Sequence, residues 1–340
     1  MMKVALLSRW HVHADDYARE AGKHPDLSIK CIWDEDTARG EKWSSELGVP
    51  FIRELETVLR DPQIDGVIVN TPTNRHREVI LAAVEHKKHV FTEKVLAFTT
   101  AECEEIYEAA EKNGVKLTVS LPRLTANYYL YAQHALDKGW LGDLTSIRCR
   151  LAHNGAVPVS GSVNGWLPPH FFDKEQCGGG ALIDLGAHPI YLTNRLAGAA
   201  SAVTSIFQKN DQRTVEENAV VLVEYGSGAL GTVETGFLSY GSPFQLELYG
   251  TKGALLIEEN EIRLNSSQLE QEGWIIPEVL PKALPMPMEQ WVESIVKGKE
   301  TTIRKEDVCS LTLINEAAAL SHAEGRKVLI SEVKEVLLNQ

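Results

Sequence analysis

At 340 residues the chain exceeds one typical hydrophobic core and suits about two domains, and its 44% hydrophobic and 24% charged composition is that of an ordinary globular protein. A formal net charge of -13 lacks the basic footprint that nucleic acid or an anionic membrane requires, so neither is expected as a partner. No run approaches the roughly 18 uncharged apolar residues of a membrane span, and Val4-Ala5-Leu6-Leu7 is too short for a signal peptide. The five cysteines (Cys31, Cys103, Cys149, Cys177 and Cys309) have no metal-ligand spacing and read as buried reduced thiols, which predicts a cytoplasmic chain and no metal site.

The first 121 residues alternate strand and helix, as in a parallel sheet with crossover helices. Strands are expected at Lys3 to Leu7, Leu27 to Trp33, Gly66 to Val69, His89 to Thr92 and Val115 to Ser120. Helices are expected at Asp15 to His24, Thr37 to Leu47, Glu54 to Arg60, Arg75 to His86 and Thr100 to Asn113. Continuous apolar runs such as Val67-Ile68-Val69 suit a sheet covered on both faces.

A helix is then expected from Ala126 to Lys138, after which strands dominate: Leu144 to Leu151, Ala202 to Phe207, Asn218 to Tyr225, Ala229 to Phe237, Phe244 to Tyr249 and Ala254 to Glu258. One helix from about Gly180 to Leu196 interrupts them, and Pro189 is expected to bend it. Helices near Met288 to Lys297 and Lys305 to Glu324 close the chain. The expected fold is α/β: a doubly wound Rossmann domain over residues 1–121, then an α+β domain over 122–340 built on one large, mostly antiparallel open sheet. Too few helices follow to cover both faces of that sheet, which predicts a homodimer or homotetramer through it.

A dinucleotide site normally carries Gly-x-Gly-x-x-Gly after its first strand, so that backbone amides can approach the pyrophosphate. Here the turn reads Ser8-Arg9-Trp10-His11-Val12-His13, with all three glycines replaced. The following helix N-terminus would still favour an anion, with Ser8 and Arg9 as added donors; packing of Trp10 and His11 is the competing reading. His11 and His13 lack a third ligand for a metal. Asp34 ends the second strand, where a carboxylate accepts ribose hydroxyls, and Glu35 and Asp36 would repel a 2′-phosphate, favouring NAD over NADP.

Three further segments carry a resemblance: Asn70-Thr71-Pro72 through His76, Glu93-Lys94-Val95, and Gly178-Gly179-Gly180 through Asp184 to His188. Their order and separation resemble the Gfo/Idh/MocA family, which includes glucose–fructose oxidoreductase and inositol dehydrogenases. The resemblance covers nearly the whole chain. It implies that Asn70, Thr71, Pro72 and His76, with Glu93 and Lys94, line the nicotinamide half of the cofactor. It also implies that Lys94, Asp184 and His188 form the catalytic triad, although Val95 replaces the family's proline and Tyr191 stands where relatives often have an acid.

Residues four apart on a helix share a face, so Asp184 and His188 can act together. Oxidation of a secondary alcohol needs a base, for which histidine is the natural choice near neutral pH. Lys94 can stabilise alkoxide charge, and Asp184 can orient the substrate. Arg123, His153 and Trp166 are further candidates for contacting a small polyhydroxylated substrate, the last by stacking on a sugar ring. The segment from Gly155 to Gly165 is expected to be a mobile loop near the site. The implied activity is hydride transfer between NAD and a sugar, inositol or related polyol. Two alternatives remain: a non-catalytic or regulatory relative that has lost the glycine turn, and a redox-neutral enzyme that recycles tightly bound NAD.

Overall fold

The computed structural model describes residues 1–160, 162 and 165–333. It divides into two compact units, Met1–Ser120 with Pro285–Lys305, and Leu121–Leu284 with Glu306–Gln340.

In the first unit β1 (Met2–Leu7), α1 (Ala14–Lys23), β2 (Leu27–Trp33), α2 (Thr37–Leu47), α3 (Leu55–Arg60), β3 (Gly66–Val69), α4 (Thr73–Glu85), β4 (His89–Thr92), α5 (Thr100–Asn113) and β5 (Leu117–Val119) alternate as the apolar runs require. The strands pair in parallel in the order β2-β1-β3-β4-β5. All four residues of β3 are buried, as expected for a strand covered on both faces. The chain leaves β1 toward β2 and returns on its other side at β3. The carboxyl ends of β1 and β3 therefore flank the switch point at which such sheets bind ligands.

In the second unit α6 (Asn127–Asp137) precedes β6 (Leu144–Ala152), and α7 (Lys174–Cys177) and α8 (Ala187–Ala197) precede a run of strands. These are β7 (Ala200–Gln208), β8 (Asn218–Tyr225), β9 (Leu230–Gly236), β10 (Gln245–Gly250), β11 (Gly253–Glu258) and β12 (Glu261–Ser266). The sheet order is β12-β11-β10-β6-β9-β8-β7-β13, where β13 is the two-residue strand Val328–Leu329. Among the described strands of this sheet only β6 and β9 pair in parallel. Hairpins join β8 to β9 and β10 to β11. Along β8 the residues Ala219, Val221 and Val223 are buried while Val220 and Leu222 are 44% and 52% exposed, so one sheet face carries apolar side chains outward.

Three expectations change. Pro285–Lys305 belongs with the first unit rather than with the residues after 121. There α9 (Pro287–Val296) buries Met288, Trp291 and Val292 against Ala18, Phe91 and the β1 side chains. Gly66 is required at that packing, since a Cβ would stand 2.9 Å from the His89 carbonyl and 3.0 Å from the Trp291 ring. Second, the helix expected from Gly180 begins only at Ala187. The Gly180 and Leu182 amides are taken by the Glu216 carboxylate, and a Cβ on Gly180 would lie 2.0 Å from the Glu216 carbonyl oxygen, so backbone and strand end meet where a helix would have run. Third, Pro189 falls in the first turn of α8, where its missing N–H is not needed, and so does not bend the helix. The long helix Lys305–Glu324, α10, has the expected bounds.

Candidate functional site

At the end of β1 the backbone turns at Ser8, whose φ of 72° is the left-handed region a glycine would have taken freely. Three of the turn's amides are bonded within the protein: Trp10 N–H donates to Ser8 Oγ at 3.1 Å, His11 N–H to the Asn70 carbonyl at 3.2 Å, and His13 N–H to His11 Nδ1 at 3.2 Å. Trp10 and His11 are buried, at 6% and 7% exposure. Arg9 does not present a free charge to a phosphate, because its guanidinium pairs with Asp15 and with Glu46 at 2.9 and 2.7 Å. Packing has thus replaced the open glycine cradle.

Asp34 sits where expected but is already saturated. Its carboxylate accepts from the Arg9 amide at 2.9 Å, the Asp36 amide at 2.8 Å, Arg39 Nε at 3.0 Å and Arg39 Nη2 at 2.7 Å. Those four bonds use about the four lone-pair sites a carboxylate offers. Arg39 also reaches Glu35 at 2.6 Å, and the Ser8 hydroxyl donates to the same Glu35 oxygen at 3.0 Å. Burial, and then the neighbouring Asp34, push the Glu35 carboxyl above its usual range. Sequence reasoning missed Arg39; its one signal is a position four residues after Glu35 on α2, which places the two side chains side by side.

The end of β3 is different. Asn70 is fully buried, and neither its Oδ1 nor its Nδ2 has a hydrogen-bond partner; the Oγ1 of neighbouring Thr71 is likewise buried and unpartnered. Buried polar groups are normally paired, so two orphaned side chains at a switch point mark a place where a ligand supplies the partners. Pro72 caps α4 in an extended conformation. His76 does not face a ligand: its ring is 1% exposed, with Nδ1 on the carbonyls of Val95 and Leu96 at 2.9 and 3.3 Å and Nε2 on that of Thr71 at 3.1 Å. Burial lowers its pKa. His76 is therefore packed between the Lys94–Leu96 turn and the β3 end, with one ring nitrogen donating when neutral, rather than touching a cofactor.

Lys94 and Glu93 follow β4 and are 6% and 2% exposed. The Lys94–Val95 peptide is cis, with Val95 in the place of the family's proline. Tyr17 of α1 donates to the Glu93 carboxylate and also lies 2.8 Å from Ser120 Oγ. Burial and the Glu93 charge raise the Tyr17 hydroxyl well above its usual pKa, so it stays protonated and able to donate. Nothing in the sequence singled out Tyr17.

In the second unit Asp184 lies in the turn before α8 and His188 at its second residue, both half-buried. They are not on one continuous helix, although Asp184 N–H still donates to the Gly180 carbonyl at 3.1 Å. His188 Nδ1 is 2.8 Å from the hydroxyl of Tyr191, which is fully buried and accepts from the Arg123 amide at 3.2 Å. The substituent for the family's acid is thus the side chain that fixes the histidine ring. The Arg123 guanidinium donates to the Tyr128 hydroxyl at 3.0 Å and covers the Phe244 ring at 4.5 Å. His153 stacks on Phe237 at 5.2 Å, and Trp166, 55% exposed, leans on His153 at 4.7 Å. Of the Gly155–Gly165 segment, residues 161, 163 and 164 lie outside the described residues.

The unpartnered side chains of Asn70 and Thr71, at the switch point of the sheet, are the residues present that fit a bound dinucleotide. Comparison with known proteins agrees. The description "Oxidoreductase family, NAD-binding Rossmann fold" matches residues 11–121, beginning just beyond the glycine-less turn's first residues, and the GFO/IDH/MocA C-terminal domain matches residues 129–256. The scyllo-inositol 2-dehydrogenase (NAD(+)) of Bacillus subtilis is 27% identical over 320 residues, covering 89% of each chain. The myo-inositol 2-dehydrogenase of Thermotoga maritima is 24% identical over 324 residues, covering 91% of this chain and 92% of its own. A solved levoglucosan dehydrogenase in complex with NADH and levoglucosan shares the fold, with a TM-score of 0.83 at 20% identity over 97% of this chain and 99% of its own. The chain belongs to the Gfo/Idh/MocA family of oxidoreductases and carries that family's NAD-binding Rossmann domain.

Proposed function

We propose that the chain is an NAD-dependent oxidoreductase that moves a hydride between the nicotinamide and a secondary hydroxyl or ketone of a sugar, an inositol or a related polyol. The observation that carries the reading is the His188–Tyr191 bond: a half-buried histidine, four residues after a half-buried carboxylate, has one ring nitrogen held at 2.8 Å by a buried phenol. In the base-competent tautomer Nδ1–H donates to the Tyr191 oxygen, which assigns proton abstraction to Nε2. Asp184 accepts from a neighbouring substrate hydroxyl and orients the ring. Lys94 donates to the reacting oxygen and stabilises its developing negative charge. Arg123, His153 and Trp166 contribute further substrate contacts. Bound NAD supplies the hydride acceptor.

Asn70, Thr71, Pro72, Glu93 and Lys94 hold the nicotinamide half, and Ser8, Arg9, Trp10, His11 and Asp34 border the rest. The choice of NAD over NADP rests on Asp34, Glu35 and Asp36, whose charges oppose a 2′-phosphate. One observation favours a second reading, a regulatory relative that binds polyol without efficient turnover: the first turn spends its own amides, and Asp34 is closed by Arg39. Titration of the purified protein with NADH, followed by cofactor fluorescence, separates the two. Saturable binding supports the dehydrogenase; no binding at millimolar cofactor rejects it. Release of NAD on denaturation would instead support the redox-neutral alternative.

Two further assignments belong to the same reading. The outward apolar residues Ile206, Val220, Leu222 and Leu230 of the sheet, between 44% and 72% exposed, suit a homodimer or homotetramer. A monomer by light scattering contradicts it. No described helix is long and apolar enough to cross a membrane, and the five cysteines are buried and outside any disulfide, which suits the cytoplasm.

A further inference from the structure

The second unit contains a cavity of about 280 Å³ that neither Asp184 nor His188 lines. Its apolar wall is made by Leu182 and Ile183 of the turn before α8, Phe207 at the end of β7, and Val215. Asn315 of α10 also lines it, and that side chain is 8% exposed with neither Oδ1 nor Nδ2 hydrogen-bonded. An amide taken out of water without partners is costly, so a group that bonds it from the cavity would be favoured. Two exposed lysines, Lys174 and Lys209, also line it beside Thr214 and His322, and neither ammonium pairs with a carboxylate among the described residues. The one acid in the lining, Glu216, is turned to the backbone: both its oxygens lie 3.0 Å from the Gly180 amide and one accepts from Leu182 at 2.9 Å. The cavity thus offers an uncommitted amide, an apolar middle and an unbalanced positive edge.

We propose that this cavity is a second ligand site for a small organic carboxylate with an apolar body and a hydroxyl or amide head. The head bonds Asn315, the body lies against Leu182, Ile183, Val215 and Phe207, and the carboxylate meets Lys174 and Lys209. The volume, at the lower edge of ordinary ligand pockets, suits a single ring or a short chain. The site bears on the reaction centre through the backbone. Glu216 holds Gly180, Ala181 and Leu182 by side chain and carbonyl, and that segment leads directly into Asp184.

The test is isothermal titration of the full chain with 4-hydroxybenzoate, beside benzoate, which lacks the head, and phenol, which lacks the carboxylate. The expected result is saturable one-site binding of 4-hydroxybenzoate. Asn315→Leu should weaken it about tenfold and remove the preference over benzoate, and K174A/K209A should weaken it by a similar factor and remove the preference over phenol. His188→Ala should leave it unchanged, which keeps this site distinct from the proposed reaction centre whether or not the chain turns over a polyol. The exposed lysine pair keeps the test decisive if Asn315→Leu fails to fold. Failure of 4-hydroxybenzoate to saturate, or binding indifferent to Asn315 and to both lysines, overturns the proposal.

Discussion

Asn70→Leu should make the cofactor-free protein more stable and its NAD binding weaker. Asn70 is fully buried with both amide atoms unpartnered, while its backbone N–H donates to Leu7 at 2.8 Å and its carbonyl accepts from His11, neither of which the substitution touches. Burying such a group unpaired costs about 1–3 kcal/mol in proteins. The slightly larger leucine returns about 1 kcal/mol of that as crowding. The net gain is up to about 2 kcal/mol, or up to roughly 6 °C in melting temperature for a unit of this size. The proposed cofactor role gives the Asn70 amide two hydrogen bonds, each worth about 0.5–1.5 kcal/mol, and their joint loss should raise the dissociation constant for NAD about 10- to 100-fold. Thr71→Val repeats the experiment with no change of volume. Differential scanning fluorimetry without cofactor and NADH fluorescence titration are the two readouts. A variant that melts lower and binds NADH unchanged would show that Asn70 serves the fold, and would refute the reasoning.

Three other outcomes follow from the same geometry. Arg39→Met strips the counter-charge from Asp34, whose side chain is fully buried, and should cost about 2–3 kcal/mol by urea denaturation, with much of that recovered in the double variant with Asp34→Asn; additive effects would count against a coupled pair. Tyr191→Phe frees the His188 ring and should lower kcat about tenfold with little change in KM, checked by steady-state kinetics on a folded variant; a change in KM alone would place Tyr191 in binding instead. His76 has a lowered pKa in the folded chain, so as pH falls below about 6.5 the unfolded chain takes a proton that the folded chain refuses, and stability is lost. His76→Gln should flatten that loss between about pH 7 and pH 5 in denaturation curves, and an unchanged slope would show that His76 is not its source.

The strands and helices of the first unit were legible because apolar runs and caps act locally: Thr99 opens α5 with a capping box, and Gly48 and Gly114 end α2 and α5 in the left-handed region. The strand β12 was missed because its charged and polar residues, Glu261, Arg263 and Asn265, sit on the exposed side of a short edge strand. The α9 segment was assigned to the wrong unit because Trp291 and Met288 find their partners about 200 to 290 residues earlier in the chain, a contact no local pattern announces. At the site, residue types that chemistry demands were visible: Lys94, Asp184 and His188. Their holders were not. Tyr17 on Glu93 is a long-range bond that only the fold brings together, whereas Arg39 on Asp34 and Tyr191 on His188 lie five and three residues apart, close enough to meet but with nothing in the residue types alone to mark the pairing. His76 shows the converse, a histidine in a promising position that the structure spends on three backbone carbonyls.

The central claim is tested most directly by incubating the purified chain with NAD and a panel of inositols, sugars and anhydrosugars, and following NADH formation for the native protein and for His188→Ala and Lys94→Ala. The account predicts turnover of at least one polyhydroxylated alcohol, cut about 10²- to 10⁴-fold in His188→Ala and strongly reduced in Lys94→Ala while NADH still binds the histidine variant. Turnover that survives both substitutions, or a protein that binds NADH yet oxidises none of the panel and reduces none of the corresponding ketones, would contradict it.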